Sequence, residues 1–515
     1  MNIGQGRFDL LVVGGGINGV GIARDAAGRG LRTLLCEQHD LGAHTSSAST
    51  KLIHGGLRYL EFYDFGLVRK SLREREIVLS SAPHIVRPMR FVLPHDEHLR
   101  PAWMIRAGLF LYDHLARRRL LQGSEGVDLR RHPAGAPLDP RYTKGFVYSD
   151  AWVDDARLVV LTAVDAREHG ATVLTRTQCT RLDRAGASWV ATLQDPRGSG
   201  MTVEARAVVN ATGPWVDRFL DEATPVPARR HPRMVKGSHI VVPRLFEHEF
   251  AYIFQAPDRR IVFAIPFERE FTLIGTTEKD YRGDLATPAI EESEIAYLLG
   301  MANRYFRRDL SRSDVAWTFA GLRPLLADPS DVATSVTRDY LLDIDTKGAP
   351  LLSIYGGKLT TYRRLAEDVL DELAPGLGWP RRHWTATSPL PGGDMAGADA
   401  AAFAAQLREA FPWLPAPLRE RWVGAYGTRC ERLLRGATCA ADLGEEVLPG
   451  LHAREIEHLR REEWAVTAED VLYRRSKLAL HLPADSVARL DDWLELHPAA
   501  GPSPGTAPGS RADPM

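Results

Sequence analysis

The sequence predicts an α/β protein with an antiparallel sheet set into it and a separate α-helical domain near its C-terminal end. Three observations carry that expectation. A strand, a glycine turn, a helix and a second strand follow one another across residues 8–37. Between residues 236 and 277 the pattern changes to short β-type runs separated by charged turns. Beyond a Pro/Gly-rich stretch at 388–400 the chain becomes rich in Ala, Leu, Arg and Glu with helical spacing.

In order, residues 8–13 form a continuous apolar run, the mark of a strand buried on both faces. Residues 18–29 have helical spacing and 32–37 form a second strand, the opening of a Rossmann-like βαβ unit. Helices are expected at 69–79 and at 103–121, the latter apolar on one side with Arg117-Arg118-Arg119 near its end. Asp154-Asp155 can cap a helix running through Val159, Leu161 and Val164. Residues 207–212 read as a short strand ending at Gly213. Antiparallel strands are expected at 239–243, 251–255, 261–266 and 271–275, and a helix at 290–306. A strand at 351–355 precedes Gly356-Gly357 and a helix at 359–373.

Gly14-Gly15-Gly16-Ile17-Asn18-Gly19 matches the GxGxxG fingerprint of dinucleotide sites. Gly14 permits the tight turn, Gly16 lets the backbone approach a pyrophosphate, and Gly19 lets helix and strand pack closely. Glu37, at the end of the next strand, can bind a ribose hydroxyl and disfavours a 2′-phosphate, so FAD or NAD fits better than NADP. Two remote strand–turn segments, Val208 through Gly213 and Ser353 through Thr360, tip the choice to FAD, because an extended flavin cofactor needs several strand ends.

The stretch from Ser46 to Glu61 concentrates Ser/Thr hydroxyls, Lys51, His54, Gly55-Gly56 and Arg58 in sixteen positions. Small hydroxyl residues suit a cofactor's approach and cations suit a charged substrate. Further cations stand at Arg323, in an AGLRPL loop, and at Lys358. Thr276-Thr277 can add hydroxyl donors, and His54 and His239 are candidate bases.

Lys plus Arg total 65 and Asp plus Glu 66, a net charge of −1, which gives no global pull toward nucleic acid. The four cysteines form no CxxC pair and no zinc-spaced cluster, so no metal is expected and reduced cytoplasmic thiols fit. The first apolar run leads straight into the glycine motif, so no signal peptide is expected. No uncharged apolar run approaches the ~20 residues that cross a bilayer.

Taken together, VVGGGINGVGIARDAAGRGL, TSSASTKLIHGGLRYLE, VNATGPWVD, KGSHIVVPR, IGTTEKDY, AGLRPL and YGGKLTTYRRLAE resemble the FAD-dependent glycerol-3-phosphate dehydrogenases, in particular the aerobic, quinone-linked type. The likeness runs from about residue 7 to residue 490. It implies a D-amino-acid-oxidase-like architecture: a Rossmann-like FAD-binding domain with an interleaved antiparallel-sheet substrate domain, and a C-terminal α-helical cap. The boundaries expected are 1–387 for the first two, with the substrate sheet at about 220–330, a linker at 388–400, the helical domain at 401–497 and a disordered tail at 498–515.

The resemblance implies oxidation of sn-glycerol 3-phosphate to dihydroxyacetone phosphate by hydride transfer to FAD, with electrons passed to ubiquinone. It places Gly14, Gly16, Gly19, Glu37, Ser46, Ser47, Ala211, Gly213 and Gly357 at FAD, and His54, Arg58, Arg323 and Lys358 around the substrate. His54 is the first choice for the base. A quinone partner implies peripheral attachment to the cytoplasmic face of the inner membrane, for which 103–121 and 359–373 are the candidate docking segments. A homodimer stays open. So do two other functions, an oxidase using O₂ and a flavin-binding module without turnover.

Overall fold

The computed structural model describes residues 6–96, 99–256, 258, 260–326 and 339–498; the expected tail lies, apart from Pro498, outside the described residues. The strand Arg7–Val13 lies inside an eight-stranded sheet. It pairs in parallel with Thr33–Cys36 on one side and Gly200–Asn210 on the other, and the latter pairs in parallel with Leu351–Tyr355. The register sets Val13 opposite both Cys36 and Asn210, and Asn210 opposite Ser353. All four strands therefore finish at one edge. Gly14, Glu37, Ala211 and Gly356 follow directly, so turns more than three hundred residues apart in sequence become neighbours.

Seven helices pack on the two large sheets: α1 (Ile17–Gly28), α2 (Phe65–Ser81), α3 (Ala102–His114), α4 (Asp155–Glu168), α5 (Val216–Ala223), α6 (Glu292–Tyr305) and α7 (Tyr362–Leu377). Helices α1, α4 and α7 share one core with the first sheet. Small residues on α1 allow this closeness: a Cβ on Gly21 would lie 2.9 Å from the Tyr362 ring. Asp154 caps α4 by accepting the Arg157 amide, as its sequence position suggests.

The second sheet has ten strands and reaches beyond 220–330. Arg233–Pro243, Ala251–Gln255, Ile261–Phe267, Phe271–Gly275 and Trp317–Leu325 lie in that range, but Val86–Pro94 and Lys144–Val153 join them from the N-terminal part. These strands pair non-locally (Met89 opposite Asp150, Ala251 opposite Phe91), which local periodicity does not encode. Ile240, Val242 and Tyr252 face α6, while Val241 and Ile253 face the side covered by α2 and α3.

Two helical expectations need correction. The helix expected over 103–121 ends at His114, so Arg117 to Arg119 lie beyond it. The apolar face of α7 is not available for docking: Leu365, Val369, Leu370 and Leu373 are buried in the first core. On α3 only Leu109 and Tyr112 are buried, and Trp103 and Phe110 are 70% and 58% exposed.

The C-terminal helices have their own core around Trp422, Ile456, Leu459 and Leu490, together with a small hairpin of Glu446–Leu448 and Leu451–His452. Buried ion pairs join them to the first domain. Arg157 of α4 donates to Glu463 Oε1 at 2.9 Å and to the Ala425 carbonyl at 2.8 Å. Asp40 accepts from Arg474 at 2.6 Å and from Arg475 at 2.7 Å. A π-helix at Asp470–Arg475 carries both arginines to the same carboxylate.

Burial pushes the Glu463 carboxyl up, but the Arg157 guanidinium outweighs it and holds it below the usual carboxylate range. A depressed folded pKa contributes stability at neutral pH that is lost as pH falls. Glu463→Ala leaves the buried Arg157 with the Ala425 carbonyl but no counter-charge, and a loss of about 3–5 kcal/mol is expected in denaturant unfolding at pH 7. A variant as stable as the parent would show that the pair does not hold the domains together.

Candidate active site

The carboxyl edge of the first sheet opens into a cavity of ≈ 580 Å³ whose walls include Gly14, Gly16, Glu37, Ser46, Gly213 and Gly357. Glycine is required at the turn: Gly14 has φ +113°, and a Cβ there would lie 2.5 Å from the Ala211 carbonyl oxygen. A Cβ on Gly19 would fall 1.9 Å from the Gly14 oxygen, so Gly19 closes the helix against the turn instead of lining the cavity. Gly16 caps α1 and aims the helix N-terminus, with its free amides, into the same space.

Glu37 accepts the Gly15 amide at 2.6 Å and the His39 amide at 2.7 Å, one on each carboxylate oxygen. Burial raises its pKa and those amides oppose the rise. Each oxygen keeps a lone pair for a hydroxyl. Ser46 borders the cavity, and its Oγ accepts the Ile17 amide at 3.0 Å, tethering the start of α1. Ser47 is placed differently from Ser46. It bonds the His44 carbonyl at 3.3 Å and borders a second cavity. Ala211 holds the turn through its amide to the Val13 oxygen at 2.9 Å.

Of the predicted substrate residues Lys358 lines this cavity, whereas His54, Arg58 and Arg323 are not among its walls. Lys358 follows Gly356 and Gly357, which have φ +81° and +103°, and its buried Nζ has no hydrogen-bond partner among the described residues. It sits 4.4 Å over the Tyr59 ring. Arg58 precedes that tyrosine, and its buried Nε likewise lacks a partner among the described residues. Arg323 donates to Thr276 Oγ1 at 3.1 Å. Gly237 makes room for it, since a Cβ there would lie 2.7 Å from the guanidinium. Burial lowers the Arg323 pKa, opposed by Glu278 and Tyr59, and the group stays a cation at any ordinary pH.

Buried cations elsewhere have carboxylates: Lys51 with Asp155 at 2.7 Å, Arg75 with Asp150 at 2.6 Å and Arg29 with Asp25 at 2.7 Å. Arg58, Arg323 and Lys358 form no ion pair among the described residues, a costly arrangement unless an anion completes it.

The two histidines differ. His239 is stacked on Phe319 at 4.7 Å and bonded to Thr50 Oγ1 at 2.9 Å. Burial, then Arg323 and Lys51, push its pKa well below 6.5. His54 has its amide bonded to Thr360 Oγ1 at 3.2 Å, just past Lys358. Burial lowers its pKa, Asp150 opposes this, and Lys358 and Arg75 add to the lowering. Both rings are neutral near pH 7. Thr277 is taken up by structure: its Oγ1 donates to Glu294 at 2.6 Å and accepts the Ser238 amide at 3.0 Å.

Sequence reasoning missed Asn18, Tyr59 and Thr360. Asn18 Nδ2 donates to the Gly356 carbonyl at 3.1 Å, joining the first glycine turn to the last, while its buried Oδ1 has no partner among the described residues. It stands at a variable position of GxGxxG, where the pattern gives no signal. Tyr59 lay inside the segment that sequence reading singled out, and its ring beneath an unpaired cation is visible only in three dimensions.

A glycine-walled cavity at the carboxyl ends of parallel strands, lined also by Asn18 and Lys358 with their partnerless polar atoms, and an acid at the second strand fit an extended dinucleotide. The fold and this cavity define an FAD-dependent oxidoreductase. The family described as FAD dependent oxidoreductase matches residues 9–363, and that described as the C-terminal domain of alpha-glycerophosphate oxidase matches residues 383–496. The chain is 54% identical over 490 residues to a glycerol-3-phosphate dehydrogenase of Pseudomonas aeruginosa, covering 95% of each chain. It is 50% identical to the aerobic glycerol-3-phosphate dehydrogenase of Escherichia coli, over 94% of this chain and 97% of that one. It is also 48% identical to a D-erythritol 1-phosphate dehydrogenase of Brucella abortus, over 95% and 97%. The crystal structure of a Bacillus halodurans glycerol-3-phosphate dehydrogenase complexed with FAD superimposes with a TM-score of 0.75 at 27% identity, covering 96% and 95%. The chain belongs to the FAD-dependent glycerol-3-phosphate dehydrogenase family.

Proposed function

We propose that this protein oxidises sn-glycerol 3-phosphate to dihydroxyacetone phosphate and passes the electrons to ubiquinone at a membrane surface. The observation that carries the reading is that Arg58, Arg323 and Lys358 are half-buried and have no carboxylate among the described residues, with Lys358 on the wall of the glycine-lined cavity and Tyr59 close to both Lys358 and Arg323. A phosphate dianion completes such a trio. Arg323 and Arg58 offer the planar forks that suit phosphate oxygens, and Lys358 adds point charge. FAD, when bound, supplies the hydride acceptor. The neutral His54 imidazole takes the C2 hydroxyl proton, and the half-buried pocket limits competing water.

The test is anaerobic bleaching of the flavin by sn-glycerol 3-phosphate, followed by reoxidation with a soluble ubiquinone analogue or with air. Bleaching and fast reoxidation by quinone are expected. Fast reoxidation by air alone marks an oxidase, and no bleaching marks a flavin-binding module. Stronger bleaching by D-erythritol 1-phosphate than by sn-glycerol 3-phosphate overturns the substrate.

For the membrane, α3 is the candidate. No described helix is long and apolar enough to span a bilayer. The outer side of α3 instead presents Trp103, Phe110 and Leu111, beside Phe62, Tyr63 and Phe65 on the turn entering α2. Arg100, Arg106 and Arg117 flank them, suiting an anionic lipid surface. Flotation with phosphatidylglycerol vesicles is expected for the parent and lost in a Trp103→Gln/Phe110→Ser double variant. Equal flotation of both would place docking elsewhere.

A further inference from the structure

Against the His54–Gly55 turn lies a buried polar hub that the reaction as derived does not use. Asp150 of the strand Lys144–Val153 is its centre. Its Oδ1 accepts from Arg75 of α2 at 2.6 Å and from the Tyr112 hydroxyl of α3 at 2.8 Å. All three residues are only about 2% exposed. The Gly55 amide points into this group, at 2.8 Å from Tyr112 Oη and 3.2 Å from Asp150 Oδ1. No side chain fits at 55: a Cβ would lie 2.4 Å from Leu72 and 2.6 Å from Tyr112 Oη.

The neighbouring amide, that of His54, is held from the opposite side by Thr360 Oγ1. Two consecutive peptide N–H groups are thus anchored in two directions, one to the helix entry after Lys358 and one to the hub. Between these anchors, the backbone that carries the imidazole has little freedom. A charge-assisted bond is stronger than a neutral one and sharper in direction. A buried aspartate with an arginine partner is costly to build for packing alone, because an apolar group of the same shape stabilises as well.

We propose that Tyr112 and Asp150, with Arg75 as counter-ion, are positioning residues that set His54 for proton abstraction. The proposal rests on the reading of His54 as the base. Displacing a reacting group by about an ångström costs on the order of a hundredfold in rate. Loosening the Gly55 amide therefore acts on the chemical step, while the phosphate clamp of Arg58, Arg323 and Lys358 is untouched.

Tyr112→Phe removes one hydroxyl and keeps the ring. In the purified holoenzyme it is expected to retain FAD and its visible spectrum, to change KM for sn-glycerol 3-phosphate less than about twofold, and to slow anaerobic flavin reduction by about ten- to a hundredfold. A role in folding alone would lower Tm or FAD content and leave reduction in the holo fraction at the parent rate; that result overturns the proposal. Asp150→Asn is read the same way should Tyr112→Phe not yield holoenzyme, and it adds a signature. His54 faces Asp150, Lys358 and Arg75, so neutralising Asp150 moves the acid limb of the reduction rate to lower pH, whereas Tyr112→Phe lowers the plateau with little change in the limb.

The double variant His54→Asn/Tyr112→Phe separates the two readings. If the hub acts through His54, adding Tyr112→Phe to His54→Asn costs almost nothing further. Full additivity of the two losses overturns the hub's route. A parent-like rate in His54→Asn overturns the reading of His54 itself, and the proposal with it.

Discussion

Arg323→Ala is expected to raise KM for sn-glycerol 3-phosphate by roughly 30- to 150-fold, the equivalent of about 2–3 kcal/mol for a charge-assisted interaction with a desolvated dianion. The maximal rate of flavin reduction should fall much less, since among the described residues the arginine bonds Thr276 and shows no bond to His54 or Gly55. Arg323→Lys keeps the charge but not the fork, so an intermediate KM is expected. The free protein provides a control for folding. Removing a half-buried cation that has no carboxylate relieves desolvation, so the melting temperature of the variant should match or exceed that of the parent. The same reasoning gives a ligand signature: inorganic phosphate should inhibit the parent competitively and the variant far more weakly. A KM change no greater than that from replacing an exposed arginine, such as Arg130, would remove Arg323 from the clamp.

This expectation also shows what a sequence can and cannot disclose about such a site. Gly14, Gly16, Gly19 and Glu37 are legible because their chemistry is local: a turn, a helix start and a strand end within two dozen residues. The strand ends at Asn210 and Tyr355 were legible as strand–turn patterns, and the parallel register explains why they meet the first turn. Arg323 and Lys358 were recognisable as candidates by residue type and glycine neighbours, but their lack of carboxylate partners is a property of the folded molecule. Gly237 illustrates the limit. It sits in an unremarked β run, and its necessity comes from a guanidinium contributed by a strand paired with its own, with Val235 opposite Arg323. The hub at Asp150 is less legible still, since its members lie 75 and 38 residues apart on a helix, a helix and a strand. Ser46 and Ser47 make the same point at close range. They are adjacent and chemically identical, yet the short helical turn Thr45–Ser47 places one against the cofactor cavity and the other beside a different one.

His54→Asn should have the larger effect on the chemical step, because it removes a proton acceptor instead of a binding contact. General-base catalysis typically contributes 10²–10⁴-fold, so a loss of at least about a hundredfold in anaerobic flavin reduction is expected, with KM little changed. The pH profile tests the assignment more sharply. The imidazole must be neutral to accept the proton, and burial, with Lys358 and Arg75 reinforcing it and Asp150 opposing it, holds its pKa below 6.5. Activity should therefore be fully present at pH 7 and fall only as pH drops through that lowered value. The substrate adds a second sign. A phosphate dianion near the ring favours the imidazolium, so the limb in kcat, which reports the complex, should lie at higher pH than the limb in kcat/KM, which reports the free enzyme. In His54→Asn both limbs should disappear. A limb that survives there belongs to another group, and His239, whose pKa burial drives still lower and which stands beside Arg323, would be the next residue to replace.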